Sequence, residues 1–395
     1  MLIEIILALL LGCLIGTFTG LVPGIHINLV GVILVSLSVS AFADVNSVYF
    51  TVFIVAMAIT HTFVDFIPSI FLGAPEDGTE LSVLPGHEML KKGFGYEAIM
   101  LTNYGSIVAV FIVLLAAIPS VFFLPKIYGL IERIIPYILI LVSLFMIFSE
   151  KKKTSALLVF VLCGILGFIV LNAENLNQPL LPLLSGLFGA SSLLISIKSK
   201  TEIPKQIITN PSGKFYRPVF ISFISSYVCG FLPGVGSGQA AAIGSNISKT
   251  NTREFLVMLG ATNTLVMGFS FLALYSISKT RTGAAAAISD IVGQPSWKIL
   301  ALILAVIIIS GTISFFIVKF LAEFFSKNIY EINYTKLSML TLAILFLIVA
   351  VISGFLGLII FTISSLTGIY CISLEVRRTN MMSCLLLPTI ILYLM

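Results

Sequence analysis

GLVPGIHIN at residues 20–28 and GFLPGVGSG at residues 230–238 are two versions of one motif. Pro23 and Pro233 stand 210 residues apart, and each is followed by glycine and then a branched apolar residue. A Pro-Gly pair removes a backbone donor and permits positive φ, so it breaks a helix. In hydrocarbon, the freed N–H and C=O groups are costly unless protein or a watery cavity satisfies them. An ordinary turn accounts for either copy alone. Two copies at matching places in two halves point to a transporter whose discontinuous helices build its binding site.

Composition agrees with a membrane setting. Of 395 residues, 58% are hydrophobic and only 10% charged, against roughly 25% charged in a soluble domain. Runs such as 106–124, 134–148, 156–171, 299–318 and 340–352 carry scarcely a charge, and several approach the ~20 residues that cross a bilayer. The chain therefore reads as an all-α polytopic membrane protein. No polar stretch is long enough to bury a core of its own. The five cysteines (Cys13, Cys163, Cys229, Cys371 and Cys384) lie in or beside apolar runs without metal-ligand spacing and read as small packing residues. No cofactor is expected, and no cleavable signal peptide is evident. Gly12, Gly16 and Gly20 recur at four-residue spacing, which suits close helix packing in a membrane.

Apolar segments fall at 5–22, 25–43, 48–72, 97–124, 127–148, 156–173 and 179–197. A second set follows at 217–232, 235–248, 255–277, 297–318, 337–353, 355–374 and 380–395. The pairs flanking each Pro-Gly read either as re-entrant hairpins or as two crossings, and 217–248 is short enough to favour a hairpin. With the N-terminus outside, only Lys126, Arg133, Lys279, Arg281 and Lys298, of 22 Lys and Arg residues, fall on the outer side. That asymmetry sets the orientation. It also makes the first hairpin enter from outside and the second from inside. The expected architecture is two inverted repeats, 1–197 and 217–395, joined by a cytoplasmic linker at 198–216. Each repeat would hold one broken hairpin and about five further membrane segments. CGILGFIV at 163–170 is echoed by SGFLGLII at 353–360 in the sixth segment of each half.

The two Pro-Gly motifs, with FIPSIFLGAPEDGTELSVLPGHEMLKKG at 66–93, resemble the integral membrane permease of the tripartite tricarboxylate transporters, the TctA family. The resemblance covers most of the chain. It implies a transport function, an extracytoplasmic binding protein and a small membrane subunit. This chain is shorter than the bacterial permeases of that family. His26 and Glu76–Asp77 also stand where smaller residues are expected.

Candidate substrate-binding residues follow from the breaks. Pro23, Gly24, His26 and Asn28 belong to the first, and Pro233, Gly234, Gly236, Ser237, Gly238 and Gln239 to the second. Helix ends exposed there attract carboxylate or phosphate through N–H groups and Na⁺ through carbonyls. Asn103, Asn246 and Asn263 add neutral polar groups nearby. Lys279 and Arg281, beside a Gly-Ala run, suit an anion, Arg through a bidentate fork; an exposed outer loop explains them equally well. Candidate ion- or proton-coupling residues are His61 and Asp65, four apart on one helix face, with Glu76, Asp77, Glu80 and His87 in the loop 73–88. The alternatives there are a structural hydrogen bond and a solvated turn. No two histidines share a helix face, so no metal site is expected.

The reading is an ion-coupled secondary permease for a small organic anion of the carboxylate class, working by alternating access in the cell membrane. A polyprenyl-phosphate translocase would use similar hairpins and the same basic residues. An intramembrane enzyme using His61, Asp65 and His87 lacks any nucleophile–base motif. No GxxxxGK[ST] stretch is present, which argues against ATP-driven transport.

Overall fold

A computed structural model describes residues 2–394 apart from 23–29, 32–33, 36–44, 74–78, 175, 199–202, 231–235, 249 and 332. Every regular element among the described residues is helical. In chain order these are α1 (Leu2–Leu21), α2 (Ser47–Val64), α3 (Phe66–Phe71), α4 (Val83–Lys91), α5 (Gly95–Phe148), α6 (Lys153–Leu171), α7 (Leu180–Leu184) and α8 (Ser191–Lys198). Then come α9 (Tyr216–Cys229), α10 (Ser237–Ser248), α11 (Thr252–Ile277), α12 (Gly283–Val292), α13 (Trp297–Asn328), α14 (Tyr334–Ser373) and α15 (Ser383–Leu394). Eight helical stretches among the described residues are long and apolar enough to cross a bilayer.

Some predicted boundaries move. Segments 97–124 and 127–148 are one 54-residue helix, α5, that runs through Pro119, Pro125 and Pro136. At 1.5 Å per residue it is about 81 Å long, far more than a bilayer core, and its membrane-length apolar part is Gly95–Gly129. Segments 337–353 and 355–374 are joined in α14, where Gly354 leaves the helical region at φ 66°, ψ −162°. Gly164, its counterpart in the sequence echo, is an ordinary helical residue packed against Leu387. Most of segment 25–43 lies outside the described residues.

The contacts give the helix directions. Gly12, Gly16 and Gly20 of α1 sit against Ala56, Thr60 and Val64 in turn, so α1 and α2 run the same way and the chain returns between them. Thr60 bonds Ser314, and Phe71 stacks on Phe325 at 6.1 Å, so α13 runs parallel to α2. α5 and α11 are also parallel to each other. Arg253 grips Glu97 through two bonds of 3.0 and 3.1 Å at their starts, and Gly268 meets Val113 further along. Between these points a methyl on Gly105 would strike the Val257 carbonyl, and one on Gly260 the Thr102 carbonyl. Asn103 reaches the Phe315 carbonyl at 3.0 Å while Gly311 packs on Val110, so α5 runs opposite to α13. α2 and α13 thus point one way, α5 and α11 the other.

The second hairpin is short. α9 has 14 residues and α10 has 12, about 21 and 18 Å, and neither crosses a bilayer alone. They run antiparallel, with Arg217 donating to the Ser248 carbonyl at 2.9 Å and Gly244 facing Ile221. α11 then starts on a capping box in which Asn251 accepts from the Glu254 N–H and Glu254 accepts from the Asn251 N–H, both at 3.0 Å. The inter-half linker folds back on the α4–α5 turn. There Gln206 accepts the Gly95 N–H at 2.8 Å, and the Ile207 N–H reaches the Gly93 carbonyl at 2.8 Å.

Burial sorts the helices. The most apolar stretches of Ser47–Phe71 and Thr252–Ile277 are 89% and 94% buried, those of Gly95–Gly129 and Trp297–Glu331 39% each. The first two form the centre of one core with α1, α5 and α13. A separate core gathers α6, α15 and parts of α5, α7 and α14, including Cys163, Cys371 and Cys384. α10 touches both, through Ala241 on the central core and Ala240 on the other.

Because the α5–α11 crossing is backbone on backbone, Gly105→Ala and Gly260→Ala should each lower stability by about 1–3 kcal/mol. Gly129→Ala, with nothing within 4 Å of the added methyl, should be neutral or slightly stabilising. Thermal unfolding of the detergent-solubilised variants measures the contrast.

Candidate functional site

The site begins where a helix loses one bond. Pro68 has no N–H for the Val64 carbonyl and its ring crowds that carbonyl, so α2 and α3 meet at Asp65, whose backbone stays right-handed helical at φ −60°, ψ −18°. Asp65 is the residue between them, 1% exposed. The Ser69 hydroxyl donates to the Asp65 backbone carbonyl at 2.9 Å.

The Asp65 side chain faces the second half. Its Oδ2 accepts from Asn263 Nδ2 at 2.9 Å, and the same amide lies 3.3 Å from the Thr62 carbonyl. Asn263 stands near the middle of α11, between Thr262 and Thr264, and Thr264 meets the Thr62 hydroxyl at 3.3 Å. The Asn263 Oδ1 accepts from Ser237 Oγ at 3.2 Å. Ser237 opens α10, four residues after Pro233. One buried chain of bonds therefore runs from the end of the second break, through Asn263, to the α2–α3 interruption.

The end of α1 comes close to the same place. Thr19, four residues before Pro23, lies 3.0 Å from Nδ1 of His61, which is itself four residues before Asp65. His61 is 3% exposed. The sequence places His61 and Asp65 on one face; the structure gives each a partner from a different helix. On the other side of Asp65, the Ser69 hydroxyl pairs with Thr79 at 2.6 Å, which ties in the acidic loop.

The remaining candidates divide. Gly236, Ser237, Gly238 and Gln239 lie at the start of α10, with Gln239 described by its backbone alone. Glu80 opens a short 3-10 turn, Glu80–Ser82, and is also described by backbone alone. Pro23, Gly24, His26, Asn28, Glu76, Asp77, Pro233 and Gly234 lie outside the described residues. Lys279 and Arg281 are not brought to the Asp65–Asn263 contact. They follow the end of α11, about 21 Å along the helix from Asn263, where Lys279 lies over the Tyr128 ring at 5.8 Å. Thr19, Thr62 and Ser69 are site residues that sequence reasoning passed over. For Asn263, the signal was the Thr-Asn-Thr triplet inside an apolar run.

His87 sits on α4 with Nδ1 2.8 Å from the Ile70 carbonyl and its ring against Gly73, whose φ of +66° opens the acidic loop. Burial pushes its pKa down to about 4, and the nearby Lys91 and Arg378 charges act in the same sense. His87 is therefore neutral at physiological pH.

A family model described as the tripartite tricarboxylate transporter TctA family matches residues 6–383. The chain belongs to that family. The resemblance carried by the motifs thus extends along nearly the whole chain, and membership makes it the membrane component of a tripartite transport system with further membrane and binding-protein partners. It is also similar to an uncharacterized protein of Methanocaldococcus jannaschii, 33% identical over 401 residues that cover 98% of this chain and 99% of the relative. No solved structure matches.

Two outcomes follow from this geometry for the TctA-family chain. Asn263→Ala leaves the Asp65 carboxylate and the Ser237 hydroxyl short of a partner and should cost about 1–3 kcal/mol, read as a lower melting temperature. For His87, the folded state holds the neutral form, so the unfolded chain binds more protons between its ordinary pKa of 6.5 and about 4. Stability is full above that window and falls as pH drops through it. His87→Asn should flatten this part of the melting-temperature profile against pH.

Proposed function

We propose that this TctA-family chain is an ion-coupled permease that carries a small organic anion of the carboxylate class by alternating access. The observation that carries the reading is the buried chain Ser237–Asn263–Asp65, which joins the second broken helix to an interrupted helix of the first half. A carboxylate inside a membrane costs roughly 2.5–3.5 kcal/mol or more and usually serves an ion or substrate pathway. A proton or Na⁺ taken up at Asp65 removes its net charge and weakens the bond to Asn263. Ion occupancy is thereby linked to the contact between the halves. His61, on Thr19, completes the coupling site, and the acidic loop with Glu76, Asp77, Glu80 and His87 borders it.

The repeats 1–197 and 217–395, joined by 198–216, are read as inverted. In support, α2 and α11 are the deeply buried helices after each break, and they run in opposite directions. So do α5 and α13, whose apolar parts are equally long and equally buried. The substrate is held between the breaks. Pro23, Gly24, His26 and Asn28 lie on one side, and Pro233, Gly234, Gly236, Ser237, Gly238 and Gln239 on the other, where the N-terminus of α10 favours a carboxylate. Lys279 and Arg281 draw the anion to the outer mouth. The N-terminus lies outside.

Purified protein should be melted against a series of dicarboxylates and tricarboxylates and against a polyprenyl phosphate. Stabilisation by a soluble carboxylate is expected; stabilisation by the lipid phosphate alone would replace this reading with a lipid-carrier translocase. In proteoliposomes, Asp65→Asn should lose at least roughly tenfold of the uptake driven by an ion gradient, with counterflow exchange at equal ion concentrations retained. An unchanged gradient-driven rate would make Asp65 structural.

A further inference from the structure

Several cations near the inner ends of these helices have an acid beside them. Arg253 holds Glu97, Lys152 holds Glu375 at 2.7 Å, and Arg377 lies 3.5 Å from Glu150. Arg378 is different. It opens the 3-10 turn Arg378–Met382 and is half-buried, and its Nη1 donates to the Ser192 hydroxyl at 2.7 Å. Among the described residues no carboxylate pairs with it. Glu150, one candidate, already accepts from Arg377 and from Asn380 Nδ2 at 3.2 Å. A guanidinium has five N–H donors, and Ser192 uses one. Burial lowers its pKa only to about 10, so it stays charged. A desolvated cation without an acid is unfavourable, and proteins keep such groups where an anion visits.

Its surroundings fit that visitor. The Arg378–Met382 turn packs on α10, with Met381 and Met382 in the same core as Ala240. The Arg378 charge also acts on His87 of α4. α10 therefore has beside it a cation whose donors are mostly unspent.

We infer that Arg378 is a carboxylate-binding station on the cytoplasmic side of the transport site, oriented by Ser192 and filled by the transported anion as it leaves α10. This rests on the transport reading above. A carboxylate matches the guanidinium fork with two parallel bonds, which an ammonium cannot reproduce.

The test measures binding of a labelled tricarboxylate to the purified chain, with inorganic phosphate and anionic-lipid vesicles as competitors. Arg378→Gln should weaken tricarboxylate binding by roughly tenfold or more, and Arg378→Lys should recover only part of it. Ser192→Ala keeps the charge and loses the tether, so it should give a smaller loss; it also serves if Arg378→Gln does not fold. Ligand-free melting temperatures show which variants are folded. If Arg378→Gln folds, or Ser192→Ala alone does, and binds as wild type does, the station is overturned while the transport reading stands. If wild type binds no tricarboxylate, both fall. Competition by vesicles but not by phosphate or a second carboxylate would assign Arg378 to a lipid headgroup and overturn the station.

Discussion

The hydrogen bond between Asp65 and Asn263 is the contact on which the centre of this molecule depends. A carboxylate and a carboxamide, both closed to bulk solvent, would each cost free energy unbonded, and each satisfies the other. That need brings the α2–α3 interruption against the middle of α11. Asn263 then takes Ser237, and with it the first turn of α10. His61 takes Thr19 at the end of α1. The end of α1 and the start of α10 are thereby held near Asp65 by side chains that are neither proline nor glycine.

Such a polar centre is tolerable only if the helices around it approach closely. Lipid supplies no hydrophobic drive between helices, so association relies on contact between small residues. Gly12, Gly16 and Gly20 let α1 lie on α2, and Gly105 and Gly260 let α5 and α11 touch backbone to backbone. The Glu97–Arg253 pair fixes the register of that second contact at one end. The result is a dense central body. α6, α14 and α15 contribute to a second body with a core of its own.

α10 lies between the two, with neighbouring alanines on different cores. A short helix in that position can follow either body. Movement of one body against the other would shift the N-terminus of α10 relative to Asp65. Arg378, on the turn that packs against α10, would move with it. The family assignment says what class of machine this is.

Much of this was legible in the residues themselves. Hydrophobic length and the four-residue glycine spacing act locally, so membrane class and the α1 packing face could be read without a structure. Local signals also misled: the sequence reading divides the apolar stretch between 124 and 127, where α5 runs on through Pro125, because a proline in a membrane helix is tolerated when its surroundings satisfy the freed groups. Partners were out of reach. Nothing in ITHTFVDFIP says that Asp65 will bond an asparagine 198 residues away, or that Lys279 and Arg281 will end up at the far end of α11. Composition and spacing determine which groups are costly to bury and where a helix must stop. Which distant group meets each of them is decided only by how the helices cross, since that is set by close packing summed over the whole bundle.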